Sequence, residues 1–286
     1  MSSTNRDWTV LRMLEWATDY FEKKKIPDPR HSIEWLLAYV LDIKRLDLYL
    51  KFDRPLGRKE LDQLRKLVKR RAAHEPLQYI VGHTDFMNCR IDVNPSVLIP
   101  RIETEQLVEH LLERTSDRRN TPINLLDIGT GSGCIPISIK KENPGWNCCG
   151  VDISSEALKV AAQNSVSNDV EVNFFEGDLF NLDDHKKINE IPWDIIISNP
   201  PYIHPDEKPE INKQVLNYEP SEALFVDDPM SVYKSILSFS KKQNAGLFLE
   251  CNDKTAEEVK CEAEELFGSV ELLKDLDKNP RFIVAI

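Results

Sequence analysis

From about residue 123 the sequence alternates between short apolar runs and helical segments, and few architectures accommodate that alternation. The runs are Ile123 to Ile128, Cys148 to Ile153, Val170 to Phe175, Trp193 to Ser198 and Gly246 to Glu250. Consecutive strands joined by helices run parallel, so the pattern predicts a mostly parallel sheet with helices on both faces. The end of the chain departs from it. Val270 to Leu273 and Arg281 to Ile286 are strand-like and are separated mainly by Asp277-Lys278-Asn279-Pro280. So short a link demands an antiparallel hairpin, because a parallel pair needs a crossover of about a dozen residues or more. The expected class is α/β.

The first 75 or so residues read differently, as helix throughout. Trp8, Leu11, Leu14 and Trp16 begin one amphipathic segment, which Pro27 and Pro29 break. Ile33, Leu36, Leu37, Val40 and Leu41 mark a second, and Leu61, Leu64, Leu67 and Val68 a last one. That last helix also carries Lys59, Arg65, Lys66, Lys69, Arg70 and Arg71. Its basic positions read as a solvated face, with a patch for an acidic partner as the second reading. Between the two regions, Ile80-Val81-Gly82, Phe86, Arg90 to Val93 and Val97 to Pro100 read as short strands and turns. A new helix is expected to start at Thr104 or its neighbours. The resulting division is a small all-α domain over 1–75, a β-hairpin linker over 76–100 and an α/β domain over 101–286.

A net charge of -11 argues against broad binding to nucleic-acid backbones, so no stable nucleic-acid complex is expected. None of the six cysteines forms a Cys-x-x-Cys pair, and they read as core thiols of a reducing compartment, with no metal. The start of the chain, with Asp7, Glu15 and Asp19, has neither a signal-peptide core nor the acid-poor composition of a transit peptide. No apolar run is long enough to span a membrane. A cytoplasmic protein, expected to be monomeric and without a membrane partner, is the reading.

The ends of the predicted strands carry the chemistry. Asp127-Ile128-Gly129-Thr130-Gly131-Ser132-Gly133 closes the first strand of the α/β domain. Its glycines allow a tight turn and close approach of a ligand. A dinucleotide fingerprint would need a third glycine or alanine where Pro136 or Cys134 stands, and a phosphate loop would need Gly-Lys-Ser/Thr, so both are disfavoured. Asp152 ends the next strand, where a carboxylate can accept from ribose hydroxyls; capping the following helix is its competing role. Gly177-Asp178 ends the third, where Asp178 could meet an exocyclic amine or backbone. Asn199-Pro200-Pro201-Tyr202 follows the fourth. The prolines end that strand and present an amide beside an aromatic ring, a pair suited to a planar group bearing an NH2. Together these ends describe a nucleoside pocket without a phosphate site, and S-adenosylmethionine is such a ligand.

With those elements in order, the chain resembles class I S-adenosylmethionine-dependent methyltransferases, which have a Rossmann-like, seven-stranded sheet. More narrowly it is similar to the protein-(glutamine-N5) methyltransferases that modify peptide-chain release factors. Glu75-Pro76-Leu77-Gln78-Tyr79-Ile80-Val81-Gly82, Val97-Leu98-Ile99-Pro100-Arg101 with Glu103-Thr104-Glu105, Asp178-Leu179-Phe180 and Asn217-Tyr218-Glu219-Pro220 all fit that family. The resemblance implies that Gly129, Thr130, Gly131, Ser132 and Gly133 line the methionine end of the cofactor. It places Asp152 on the ribose, Asp178 and Leu179 at the adenine, and Asn199 at both cofactor and substrate. Asn199, Pro200, Pro201 and Tyr202 hold the target glutamine, with Asn199, Pro200 and Tyr202 catalytic; His204 is a further proton acceptor to consider. The chain departs from the family at Ile102, at Val226 to Met230 and at Cys251-Asn252. A ribosomal-protein glutamine methyltransferase, an adenine-N6 methyltransferase and an inactive cofactor-binding scaffold are the alternative readings.

Overall fold

The computed structural model describes residues 8–118 and 121–286, so the polar start of the chain, Asp7 included, lies outside the described residues. The contacts divide the chain into two compact units. One runs to Gly82 and takes in Asn212–Tyr218; the other comprises His83–Ile211 and Glu219–Ile286. The contacts thus fall apart after Gly82 rather than after residue 75, and they group the hairpin with the α/β unit.

The first unit is built on α1 (Val10–Lys23), α2 (Pro29–Leu41), α3 (Arg58–Ala72) and α4 (Leu77–Val81). The two prolines read as breakers act differently from each other. Pro27 lies between α1 and α2, while Pro29 opens α2 at a position where its missing N–H costs nothing. Val10, Leu14, Ala17, Phe21, Ile33, Leu36, Leu37 and Leu64 are fully buried in the core of this unit. The strand expected over Ile80-Val81-Gly82 is instead the end of α4. Pro76 precedes that short helix, and Gly82 ends it at φ +87, a left-handed cap open to glycine.

The basic face of α3 is smaller than the sequence suggests. Arg71 is buried, and its guanidinium donates to Ser32 Oγ, the carbonyls of Pro27 and Glu75, and Gln214 Oε1. Burial lowers its pKa to about 10. Arg70 pairs with Glu75. Lys59, Arg65, Lys66 and Lys69 remain exposed.

The second unit starts with the hairpin β1 (His83–Phe86) and β2 (Cys89–Asp92). Its turn is held by Glu105, which accepts from the Met87 N–H at 2.6 Å. Val97 to Pro100 follow as irregular chain, not as the expected strand. Then come α5 (Ile102–Arg114), β3 (Asn124–Ile128), α6 (Cys134–Glu142), β4 (Asn147–Asp152), α7 (Ser155–Ser167) and β5 (Asn173–Glu176). The chain continues through α8 (Lys186–Asn189), β6 (Ile195–Ser198), α9 (Lys213–Tyr218, which belongs to the first unit), α10 (Pro229–Gln243), β7 (Gly246–Glu250), α11 (Ala256–Glu264), β8 (Val270–Lys274) and β9 (Pro280–Ala285).

The seven-stranded sheet has the order β5-β4-β3-β6-β7-β9-β8. The pairings β3–β4, β3–β6, β4–β5 and β6–β7 are parallel, whereas β9 runs antiparallel to both β7 and β8. The sheet and its terminal hairpin therefore match the sequence expectation. Strand order reverses at β3, so β4 and β6 flank it and their C-terminal ends open onto one crevice. The hairpin is fastened to the same unit by Asn164 of α7, which bonds the backbone of Asp92 in both directions and also the Ser132 carbonyl.

Candidate active site

A cleft of about 260 Å³ lies at those strand ends. Its wall includes Gly129 and Gly131 after β3, Asp152 at the end of β4, Asp178 and Leu179 after β5, and Asn199, Pro200 and Pro201 after β6. The four positions that drew attention in the sequence thus converge. Ser96 to Leu98 and the segment from Pro220 to Val226 complete the wall.

The glycine loop is shaped by backbone bonds. The N–H groups of Gly129 and Thr130 both donate to the Val151 carbonyl, and Gly131 donates to Asp152 Oδ2 at 2.8 Å. Gly129, Gly131 and Gly133 all adopt positive φ, which explains the residue type at each. A Cβ on Gly129 or Gly131 would meet nothing within 4 Å, so this stretch of backbone is bare toward the cleft. Gly133 differs: a Cβ there would lie 3.0 Å from Ala161 and Ile137. It serves the packing of α6 and α7. Thr130 and Ser132 are likewise buried and stand behind the cleft wall rather than on it.

The competing role considered for Asp152 belongs to another residue. Ser154 caps α7 by accepting from the Ala157 N–H, while Asp152 accepts from Ser154 and Gly131. Each carboxylate oxygen keeps a further lone pair for a ligand hydroxyl. Burial raises the Asp152 pKa, and the backbone donors oppose that. Asp178 does cap: it accepts from the Phe180 N–H and from Asn181 Nδ2, both at 3.0 Å. His204 stands outside the wall, and its ring accepts from the Asp206 N–H at a helical turn.

Asn199 lines the cleft, and its Nδ2 donates to Thr104 Oγ1 at 2.9 Å, so the amide oxygen is not used by that bond. Tyr202 lies just past the wall, beside Glu250, Arg281 and Arg101. Burial drives its phenol above the ordinary tyrosine range. Ile203 pairs with the chain at Phe225, and that pairing holds the Phe225–Val226 side of the wall against the Asn199–Tyr202 segment. Glu219 anchors the same segment from the other end. Its buried carboxylate accepts from the Ile99 N–H and from Arg101.

Where the sequence departs from the family it resembles, the structure has local reasons. Asp228 caps α10 by accepting from the Ser231 N–H, and Pro229 occupies the first helical position. Cys251 pairs with the Arg281 backbone, and the Asn252 N–H donates to the Tyr233 hydroxyl. Of these residues only Val226 reaches the cleft wall.

A family model described as the PrmC N-terminal domain matches residues 12–82, and one described as the methyltransferase small domain matches residues 101–221. A release factor glutamine methyltransferase of Chlorobaculum tepidum is 35% identical over 283 residues, 96% of each chain. One from Geobacter sulfurreducens is 40% identical over 217 residues, covering 76% of this chain and 73% of the relative. The chain belongs to the release factor glutamine methyltransferase family. Like the rest of this family, it is an S-adenosylmethionine-dependent methyltransferase. The fold also resembles more distant solved structures. The N-terminal domain of human METTL16 aligns with TM-score 0.51 at 19% identity, over 76% of this chain and 81% of that one. The Thermus thermophilus 16S rRNA methyltransferase RsmC aligns with TM-score 0.50 at 18% identity, over 71% and 49%.

The cleft fits the cofactor of this methyltransferase family on chemical grounds. Among the described residues its wall carries the carboxylates Asp152, Asp178 and Glu222 and no lysine, arginine or histidine. A pyrophosphate would be repelled there, whereas a nucleoside bearing a cationic sulfonium is favoured.

Proposed function

We propose that the enzyme methylates the side-chain nitrogen of a glutamine in a protein, and that its substrate is the Gly-Gly-Gln loop of a peptide-chain release factor. The names of the relatives support the substrate. The single observation that carries the chemistry is that Asn199 lines the cleft with its Nδ2 engaged by Thr104, an arrangement in which its Oδ1 would be the atom offered to a substrate.

S-adenosylmethionine supplies, when bound, an electrophilic methyl group on its sulfonium, and leaves as the neutral thioether S-adenosylhomocysteine. Gly129 and Gly131 would hold its methionine end, Asp152 its ribose hydroxyls, and Asp178 with Leu179 its adenine. Thr130, Ser132 and Gly133 would shape that loop from behind. Every further demand falls on the protein. A glutamine nitrogen is a weak nucleophile because its lone pair is delocalised into the carbonyl. Asn199 Oδ1 and the Pro200 carbonyl would accept its two N–H groups, aim the nitrogen and raise its electron density as the new N–C bond forms. The gain comes from positioning and preorganised dipoles rather than from a strong base. The nitrogen becomes acidic as it is alkylated and loses its proton to water. Pro201 walls the glutamine, and Tyr202 closes the site beyond it.

The helical unit would serve substrate recognition. A monomer acting in the cytoplasm belongs to the same proposal; the six free cysteines, of which all but Cys261 are buried, support a reducing compartment. Among the described residues no helix is long and apolar enough to cross a membrane. The test is steady-state methyl transfer to a release factor by wild type and Asn199→Ala. Removing one preorganised acceptor should lower kcat about 10²- to 10³-fold while S-adenosylhomocysteine still binds. An Asn199→Ala enzyme with normal kcat would exclude this arrangement.

A further inference from the structure

We propose that Thr104 and Glu250 are positioning residues that set which way round the Asn199 carboxamide faces the cleft. The proposal rests on the reading of Asn199 as the acceptor of substrate N–H groups. Three elements meet at this point: the first turn of α5 supplies Thr104, the end of β7 supplies Glu250, and Asn199 follows β6. Asn199 Nδ2 donates to Thr104 Oγ1 at 2.9 Å, and Thr104 Oγ1 donates to Glu250 Oε2 at 2.8 Å. Thr104 is 3% exposed and Glu250 1%, so water does not compete for these bonds.

The direction of the chain follows from counting protons. A hydroxyl has one, and an ionised carboxylate has none. The Thr104 proton is therefore committed to Glu250, and the Thr104 oxygen can only accept from Asn199. A flipped carboxamide would set Oδ1 against an oxygen with no proton left to give. Two acceptors would face each other in a buried place, which is unfavourable. The ionised Glu250 thus fixes Oδ1 on the cleft side, as an acceptor.

A protonated Glu250 would lift that constraint. Its carboxyl could donate to Thr104, and the Thr104 proton could turn to Asn199. The carboxamide could then present NH2 to the cleft, where it opposes the N–H groups of a substrate amide. The charge on Glu250 is set by all its neighbours. Burial and the adjacent Glu103 favour the neutral form, while Thr104, Arg281 and Tyr202 favour the charged one. Cys251 and Tyr233 lie beside it, and Asp275 holds Arg281 at 3.3 Å. Burial prevails and pushes this carboxyl up to about 7. The switch would therefore operate near neutral pH.

The experiment measures kcat and KM for methyl transfer across about pH 6 to 9 for wild type, Thr104→Val, Thr104→Ser, Glu250→Gln and Asn199→Ala. Wild type should lose kcat on the acid side with a midpoint near that of Glu250. Glu250→Gln can donate to Thr104 as a protonated carboxyl would. It should lower kcat about 10- to 100-fold at alkaline pH, the loss typical when a partner that orients a reacting group is removed, and flatten the acid limb. Thr104→Val should fall by a similar factor with KM for the cofactor little changed, and Thr104→Ser should restore most of the rate. Wild-type kcat and an unchanged acid limb in Glu250→Gln would overturn the proposal, even were Thr104→Val not to fold. An active Asn199→Ala would instead overturn the reading beneath it.

Discussion

Asp127 is a carboxylic acid held where its charged form is disfavoured. It sits at 0% exposure on β3, and its carboxylate has no well-formed hydrogen bond, with the Thr130 hydroxyl beside it only partly offsetting the burial. Burial pushes its pKa up to about 7. Glu250 is raised to about 7 for the same reason. A carboxyl raised in the folded state keeps its proton after the unfolded chain has released it. Its stabilising contribution is full below the unfolded pKa and is lost as pH rises toward the folded value. The thermal midpoint should therefore decrease as pH rises from about 5 to about 7, and Asp127→Asn should flatten that slope in calorimetric scans. An Asp127→Asn slope equal to wild type would contradict this. Glu60 beside Arg54 and Glu207 beside Lys254 are shifted the other way, so their contributions are lost only in more acid solution. Individual residues were legible in the sequence where their neighbours in the chain explain them. Gly129, Gly131, Asp152 and Asn199 stand at the ends of readable strands. Thr104 and Glu250 were not legible as a pair, because 146 residues separate two side chains that are 2.8 Å apart.

At the scale of elements, the sheet was readable because buried parallel strands are continuous apolar runs bounded by turns. Elements whose identity depends on tertiary contacts were not. Ile80 and Val81 are apolar enough for a strand, but they form the end of α4 and pack into the core of the helical unit. Thr130 and Ser132 look like ligand-facing loop residues until the loop folds over β4 and buries them. The three loop glycines should separate by experiment. Gly133→Ala sets a Cβ 3.0 Å from two side chains at φ +78. It should lose about 1–3 kcal/mol in denaturant titration. Gly129→Ala meets no atom within 4 Å and points its methyl into bare space at the cleft wall. It should weaken S-adenosylhomocysteine binding, measured calorimetrically, far more than Gly133→Ala does. The reverse order would mean that the loop does not face the cofactor.

For the whole molecule, the helical unit is drawn from two separate stretches of the chain. Asn212–Tyr218 leaves the α/β unit in sequence and packs with the helical one, where Gln214 meets Arg71 and Tyr218 donates to the Ala73 carbonyl. Arg71→Ala should therefore raise amide exchange in Lys213–Tyr218, read by mass spectrometry; unchanged protection would show that this bond network is dispensable. With Arg71 internal, any steering of an acidic partner falls to Lys59, Arg65, Lys66 and Lys69. Charge reversal at Lys66 and Lys69 should slow methylation of an intact release factor but spare a short peptide. Equal loss on both would exclude steering. The most direct test of the central claim is to incubate the enzyme with methyl-labelled S-adenosylmethionine, a release factor containing Gly-Gly-Gln, and adenine-containing RNA and DNA. Fragment mass spectrometry then locates the label. The expected result is one methyl group on the glutamine side-chain nitrogen, lost in Asn199→Ala; label on adenine, or none on glutamine, would contradict it.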